Sequence, residues 1–168
     1  SIEINDAEVA EDSGQSDIVD LDNIFDDLDL TREGDVLSYE VVNAPDQLWL
    51  VIDEDGMLTV EPSQDYNNAD GVDVTVRATD EEGASVEDVF TVVIQPVNDE
   101  PFVADEIDDV EVDEDSGQTD IADLDDVFDD IDLTREGDLL SFELIDAPVE
   151  FGLSIDEDAL LSVNPDEN

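Results

Sequence analysis

Residues 72–78 read VDVTVRA, in which Val72, Val74, Val76 and Ala78 alternate with Asp73, Thr75 and Arg77. A period of two places the apolar side chains on one face of an extended strand and the polar ones on the other. The alternation returns at 90–95, where Phe90, Val92 and Ile94 are interleaved with Thr91, Val93 and Gln95. Upstream, Trp49-Leu50-Val51-Ile52 and Met57-Leu58-Thr59-Val60 flank Asp53-Glu54-Asp55-Gly56, whose Asp-Gly supplies the positive φ of a hairpin turn. Residues 36–42 are a further strand candidate, ended by Asn43-Ala44-Pro45. Short strands separated by turns over about 100 residues predict an antiparallel two-sheet sandwich. One segment departs from the pattern: Ile18, Leu21, Phe25 and Leu28 recur at helical spacing. The expectation there is a strand followed by a single helical turn, with a short helix as the alternative and Phe25 in the core in both.

The chain repeats itself. Gly14 pairs with Gly117, Phe25 with Phe128, Pro45 with Pro148 and Pro62 with Pro165, always 103 residues apart, and the register runs without a gap from Glu3/Glu106 to Pro62/Pro165. DLTREGD stands at 29–35 and again at 132–138. A period this long is a tandem array of domains and not a solenoid. The expected organisation is a complete repeat over 1–98, a linker over 99–103, and a second copy over 104–168 that lacks the counterparts of Val72 to Ile94. The inner faces of that copy are therefore expected to be exposed, or covered by strands from another molecule. The chain begins SIEIND without a methionine and reads as an excised piece.

Composition sets the electrostatic problem. Three arginines stand against 54 acidic residues, with no histidine, for a formal charge of −51. Two carboxylates about 5 Å apart in water repel by roughly 0.8 kcal/mol, so a cluster of four costs on the order of 5 kcal/mol. That is comparable with the whole stability of a domain, about 5–15 kcal/mol. Cations must screen or bind such clusters. Disorder is the other escape from high charge, and the periodic Val, Ile and Leu runs argue against it. Nucleic acid and anionic membranes would be repelled. No apolar run approaches the roughly 20 residues of a membrane span, so no direct membrane insertion is expected. With no cysteine there are no disulfides. Catalysis is poorly supported, because His, Cys and Lys are lacking and the chain has one Trp and two Tyr to anchor a substrate.

The acids recur in place. Glu11-Asp12-Ser13-Gly14 returns as Glu114-Asp115-Ser116-Gly117, and Asp27-x-Asp29 returns as Asp130-x-Asp132. Oxygen-rich clusters suit Ca²⁺, which takes six to eight oxygens at about 2.3–2.6 Å, better than Mg²⁺; zinc would want His or Cys. An EF-hand register from Asp27 fails, placing Arg32 at the glycine and Ser38 at the bidentate glutamate. Any calcium site must be assembled from distant segments.

Four stretches in order carry a resemblance: Val9 to Asp12; Asp27 to Tyr39; Leu58 to Asn67; and Val76 to Gly83, continued through Phe90 to Ile94 into Pro96-Val97-Asn98-Asp99-Glu100-Pro101. Together they resemble bacterial cadherin-like tandem repeats, Ig-like β-sandwich repeats of large surface or secreted adhesins, over all of the first copy and everything present of the second. The resemblance implies an all-β fold of tandem Ig/cadherin-like antiparallel β-sandwich domains, the second copy incomplete, with calcium at the junctions between domains. Carried over residue by residue, the first repeat would offer Glu11 and Asp65, the linker Asn98, Asp99 and the Glu100 carbonyl, and the second repeat Asp130 and Asp132. Asp27, Asp29 and Asp80 would face an upstream linker. Two departures imply fewer ions per junction than in animal cadherins. Pro96 stands where they place an Asp two residues before the linker Asn, and Gln64-Asp65-Tyr66 replaces their Asp-Arg-Glu.

The implied function is a calcium-dependent structural or adhesive repeat of an extracellular or cell-surface protein, with Ca²⁺ stiffening a rod of neighbouring repeats. A module that recognises polysaccharide or like domains on other cells is the alternative. A second is an acidic spacer from a marine or high-salt setting without specific calcium sites, and most of the acids are a solvated face in any reading. Arg32 and Arg135 then act as local neutralisers. Trp49, whose counterpart is Gly152, reads as a partly buried sandwich residue, and strand-swap adhesion through it is not supported.

Overall fold

The structure, a computed structural model, describes residues 2–27, 36–135 and 137–165. The first DLTREGD, with Asp29 and Arg32, and Leu28 before it lie outside the described residues, as does the Arg135 side chain. The chain divides into two compact units, Ser1–Val97 and Asn98–Asn168.

Unit 1 holds β1 (Ala7–Ala10), β2 (Ser16–Asp20), β3 (Ser38–Asn43), β4 (Leu48–Ile52), β5 (Met57–Pro62), β6 (Asn68–Thr79) and β7 (Ser85–Gln95). One sheet has the order β1-β7-β6-β3, the other β2-β5-β4. The pairs are antiparallel except β1 with β7, which run parallel, Ala7 opposite Val92 and Ala10 opposite Gln95. Period-two burial drives the packing. Val74, Val76 and Ala78 of β6 and Phe90, Val92 and Ile94 of β7 are buried in one cluster with Leu48, Leu58 and Val60 from the other sheet. Each fully buried aliphatic side chain contributes about 1.5–3 kcal/mol. On the solvent side Arg77 of β6 donates to Glu40 of β3 at 2.8 Å and to Glu87 of β7 at 2.6 Å, tying three adjacent strands together.

The segment with mixed periodicity is β2 followed by one 3-10 turn, Leu21–Asn23, capped by the Asp20 carboxylate on the Asp22 N–H. Leu21 and Phe25 enter the core. Trp49 corrects its sequence reading. It is 67 % exposed, because the alternation of β4 sends Leu48, Leu50 and Ile52 inward and leaves Trp49 and Val51 outside.

Tyr39 packs on Phe25 at 5.9 Å between ring centroids, and its hydroxyl donates to Asp22 Oδ1 at 2.7 Å. Desolvation, then the hydrogen bond and charge of Asp22, push the phenol well above its ordinary range. A raised folded pKa gives a stabilisation that is full below the unfolded value near pH 10 and is lost as pH climbs above it. Tyr39→Phe is therefore expected to flatten the fall in melting temperature between about pH 9.5 and 11.5. An equal fall in both proteins would exclude Tyr39 as its source.

Unit 2 holds β8 (Phe102–Val103), β9 (Thr119–Asp123), a helical turn α1 (Leu124–Val127), β10 (Phe128–Asp129), α2 (Asp132–Arg135), a 3-10 turn (Val149–Phe151), β11 (Ser154–Ile155) and β12 (Leu160–Val163). Residues 102–103, within the stretch read as a linker, pair with β10 of this unit. The sheet β11-β12-β9 repeats β4-β5-β2, and the Phe25–Tyr39 pair returns as Phe128–Phe142 at 5.7 Å. The counterparts of β1 and β3, residues 110–113 and 141–146, form no strand. In unit 1 those strands pair only with β7 and β6. Among the described residues of unit 2 no strand pairs with 110–113 or 141–146.

The β11–β12 turn carries a local conflict. Ala159 sits at φ 58, where unit 1 has Gly56 at φ 77. A left-handed non-glycine residue costs about 1–2 kcal/mol, partly offset by the greater unfolded-state freedom of glycine, roughly 0.4–1 kcal/mol. Ala159→Gly is expected to stabilise unit 2 by about 0.5–1 kcal/mol, seen as slower amide exchange in β11 and β12. Faster exchange there would contradict it.

Candidate metal centre

Unit 1 gathers oxygen ligands where β7 ends. The Glu11 N–H donates to the Gln95 carbonyl at 2.9 Å, continuing the β1–β7 ladder by one bond. That bond anchors the Glu11 side chain, only 2 % exposed, which accepts from the Val97 N–H at 3.0 Å and from Asn67 Nδ2 at 3.1 Å. Asp12 follows at φ 58 and accepts the Asp65 N–H at 3.2 Å; Asp65 itself sits at φ 55. Aspartate tolerates this conformation better than most residues. It brings a carboxylate oxygen of Asp12 within 4.8 Å of one of Asp65. Asp65 Oδ1 is buried without a hydrogen-bond donor. A buried carboxylate oxygen lacking a donor is costly unless a cation satisfies it. The sequence-predicted Glu11 and Asp65 are thus brought to one end of the unit. The sequence reading did not single out Asp12, which joins the carboxylates here, or Asn67, whose amide holds Glu11, although both lie inside quoted motifs.

Unit 2 assembles its own set. Asn98 Nδ2 donates to the Asp99 carbonyl, and the Asp99 N–H donates to Asp132 Oδ2 at 2.8 Å. Asp130 and Asp132 are both buried, and Asp130 Oδ1 accepts the Asp132 N–H at 2.9 Å, opening α2. Asn98, Asp132, Gly137 and Asp138 line one recess. Asp138 and Asp132, the terminal aspartates of the second DLTREGD, thus line one recess with the predicted Asn98. Glu100 is exposed.

Asp27 and Asp80 line a common recess of unit 1 with Asp26 and Phe25. Asp80 also has a plain structural task, since its Oδ1 accepts the Ala84 N–H at 2.8 Å in the β6–β7 turn. This recess and the Glu11 set stand at opposite ends of β7, whose 11 residues span roughly 35 Å. Among the described residues no helix is long and apolar enough to cross a membrane.

Comparison with known proteins bears first on the fold. Over 99 % of this chain and 40 % of the other, the structure is similar to protocadherin gamma B7 extracellular cadherin domains 1–4, at 14 % identity and a TM-score of 0.54. The chain thus spans less than half the length of that fragment. Tandem Ig repeats of Dlar align over 99 % of this chain and 81 % of theirs, at 9 % identity and a TM-score of 0.31. No curated protein matches the sequence. Residues 3–93, more than half of the chain, match the bacterial Ig domain family, and the chain belongs to that family.

Proposed function

We propose that this chain is a calcium-dependent structural repeat of an extracellular or cell-surface protein, in which Ca²⁺ held near Val97 stiffens the passage from one sandwich to the next. Bacterial Ig domains are typically non-enzymatic repeats of extracellular or surface proteins, which supports the coarse reading. The observation that favours calcium is the buried Asp65 Oδ1 without a donor, beside Asp12 and near the buried Glu11. Glu11, Asp12 and Asp65 from unit 1 and Asn98, Asp99, Asp130 and Asp132 from unit 2 would supply the oxygens, and the cation the missing positive charge. Asp27, Asp80 and the undescribed Asp29 would serve a preceding repeat.

The test is thermal melting in 0.1 M and 1 M NaCl, each with EDTA, CaCl₂ or MgCl₂. Ligand at a hundredfold excess over Kd adds about 2.7 kcal/mol, which for a domain of about 100 residues is roughly 10–20 °C. The expected result is a rise of that order with Ca²⁺ that survives 1 M NaCl, is small with Mg²⁺, and disappears in the Asp99→Asn/Asp130→Asn double variant. Full stabilisation by NaCl alone would leave the acids as a screened coat typical of high salt. Calcium-dependent aggregation, or binding to a polysaccharide, would move the reading toward a recognition module.

A further inference from the structure

Among the described residues, unit 1 has four strands at sheet edges: β1 and β3 of one sheet, β2 and β4 of the other. An edge presents unpaired N–H and C=O groups, and natural edges are blunted by charge, by bulges or by being very short. Three of the four follow that rule. β1 is four residues long and carries Glu8; β2 carries Asp17 and Asp20, and β3 carries Glu40, each with a register shift in its ladder. β4, Leu-Trp-Leu-Val-Ile, does not. It bears no charge and pairs with β5 in unbroken register, in a chain where 54 of 168 residues are acidic.

The register fixes where its free groups point. The Asp53 N–H donates to the Met57 carbonyl at 3.1 Å and the Ser63 N–H to the Gln47 carbonyl at 2.8 Å, so Trp49/Glu61 and Val51/Thr59 are the hydrogen-bonded pairs between them. Pro62, which has no N–H, falls in a non-bonded pair opposite Leu48. The main-chain groups of Leu50 and Ile52 therefore face away from β5. Trp49 and Val51 stand on the outer face, 67 % and 54 % exposed. The sandwich does not require them, since their counterparts 103 residues on are Gly152 and Ser154.

Charge selects what can add there. Asp46 precedes β4, Asp53, Glu54 and Asp55 follow it, and Glu61 lies opposite Trp49. Thr59, opposite Val51, lines a recess with Asp17, Asp20, Asp53 and Asp55. A second copy fits badly, because an antiparallel β4 pair centred on Leu50 sets Asp46 opposite Glu54. A cationic strand turns the same acids into partners, and a Lys or Arg opposite Trp49 covers its ring.

We propose that β4 is a docking edge for an extended cationic segment of another protein, which adds antiparallel to it as a fourth strand of the β2-β5-β4 sheet. Main-chain bonds to Leu50 and Ile52 supply affinity, and Trp49 with the flanking acids selects a strand that has Lys or Arg at its ends and β-branched residues between.

The test uses the full chain in millimolar CaCl₂ and 0.1 M NaCl with the synthetic peptide KRVTVKVRK. With its central Val opposite Leu50, the basic ends meet Asp46 on one side and Asp53 and Glu54 on the other. Trp49 is the one tryptophan of the chain, so its fluorescence reports the site directly. A saturable blue shift is expected, with amide exchange at Leu50 and Ile52 slowed about tenfold or more while Trp49 and Val51, already bonded to β5, change little. Binding should weaken about tenfold or more in 1 M NaCl. The acidic peptide EEVTVEVEE should be silent. KRVTPKVRK, which keeps the charge but lacks the N–H that would meet Leu50, should give no protection. Val51→Lys, at an exposed position, should leave the fold intact and abolish binding by giving β4 the kind of charge that other edges carry. Silence of KRVTVKVRK at both amides, or equal protection by either control peptide, would overturn the proposal. So would a dimer of the chain alone in which Leu50 and Ile52 are already protected, since a second copy would then be the occupant, and so would a Trp49 shift given by a neutral oligosaccharide but not by the peptide.

Discussion

Leu58→Ala is expected to destabilise unit 1 by about 4–5 kcal/mol, while Leu161→Ala, the same change in the second copy, costs unit 2 only about 2–3 kcal/mol. The chain thus carries its own control. Leu58 is fully buried on β5, the central strand of its sheet, in a cluster drawn from both sheets. Removing its three outer carbons forfeits their transfer energy and leaves a cavity that packed neighbours cannot fill. Leu161, on β12, is 9 % exposed, and its cluster consists of Leu124 and Ala159 with a few partly buried neighbours. A one-sided core can relax into the space, so the cavity contribution is small. For a domain of about 100 residues the first change lowers the melting temperature by roughly 15–30 °C. Amide exchange resolved by unit would read both values, and equal costs would mean that the second core is closed.

Gly71→Ala is the other large effect, about 2–4 kcal/mol of destabilisation. Gly71 lies at φ +79 inside β6, where the register against β7 shifts between Asn68 and Val72. A left-handed alanine alone costs about 1–2 kcal/mol. A methyl group built there would also stand 2.5 Å from Thr91 Cγ2 and 3.2 Å from Val93 Cγ2. Both neighbours are β-branched and stiff at χ1, and Thr91 is further held by its N–H bond to Asp6 and its hydroxyl contact with Asp73. Gly83→Ala separates the two causes. Its φ is +87 with nothing within 4 Å of an added Cβ, so it should show the backbone cost alone. Denaturant midpoints for the pair test the difference, and equal losses would remove the steric part of the account.

The two-sheet architecture was legible because strands that bury one face write a period of two into the sequence, and β6 and β7 do so over many residues. The parallel strand β1 was not: four residues, Ala-Glu-Val-Ala, are too few for alternation to stand out, and its partner is some 85 positions away. Trp49 misled because an unbroken Trp-Leu-Val-Ile run hides which face is wet. In the candidate site, Glu11 and Asp65 could be read from motif order. Asp12 could not be assigned, since its place follows from a left-handed backbone that the letters do not reveal. Asp138 was not singled out, because nothing in its repeat position alone shows that it lines a recess with Asn98 and Asp132. Which counterparts of the unit 1 strands form in unit 2 was not legible, because that depends on who pairs with whom.

The parallel pairing of β1 with β7 also decides how unit 1 bears tension. The chain enters through β1 and leaves through β7, and a pull on the two termini drags these strands in opposite directions along their shared axis. The ladder from Ala7/Val92 to Ala10/Gln95, extended by the Glu11 N–H to Gln95, is then loaded in shear, all of its bonds at once. An antiparallel pair pulled from one end opens bond by bond. A sandwich whose first and last strands run side by side in the same direction is built to resist stretching, and its lifetime under load is set by the rate at which that single ladder slips.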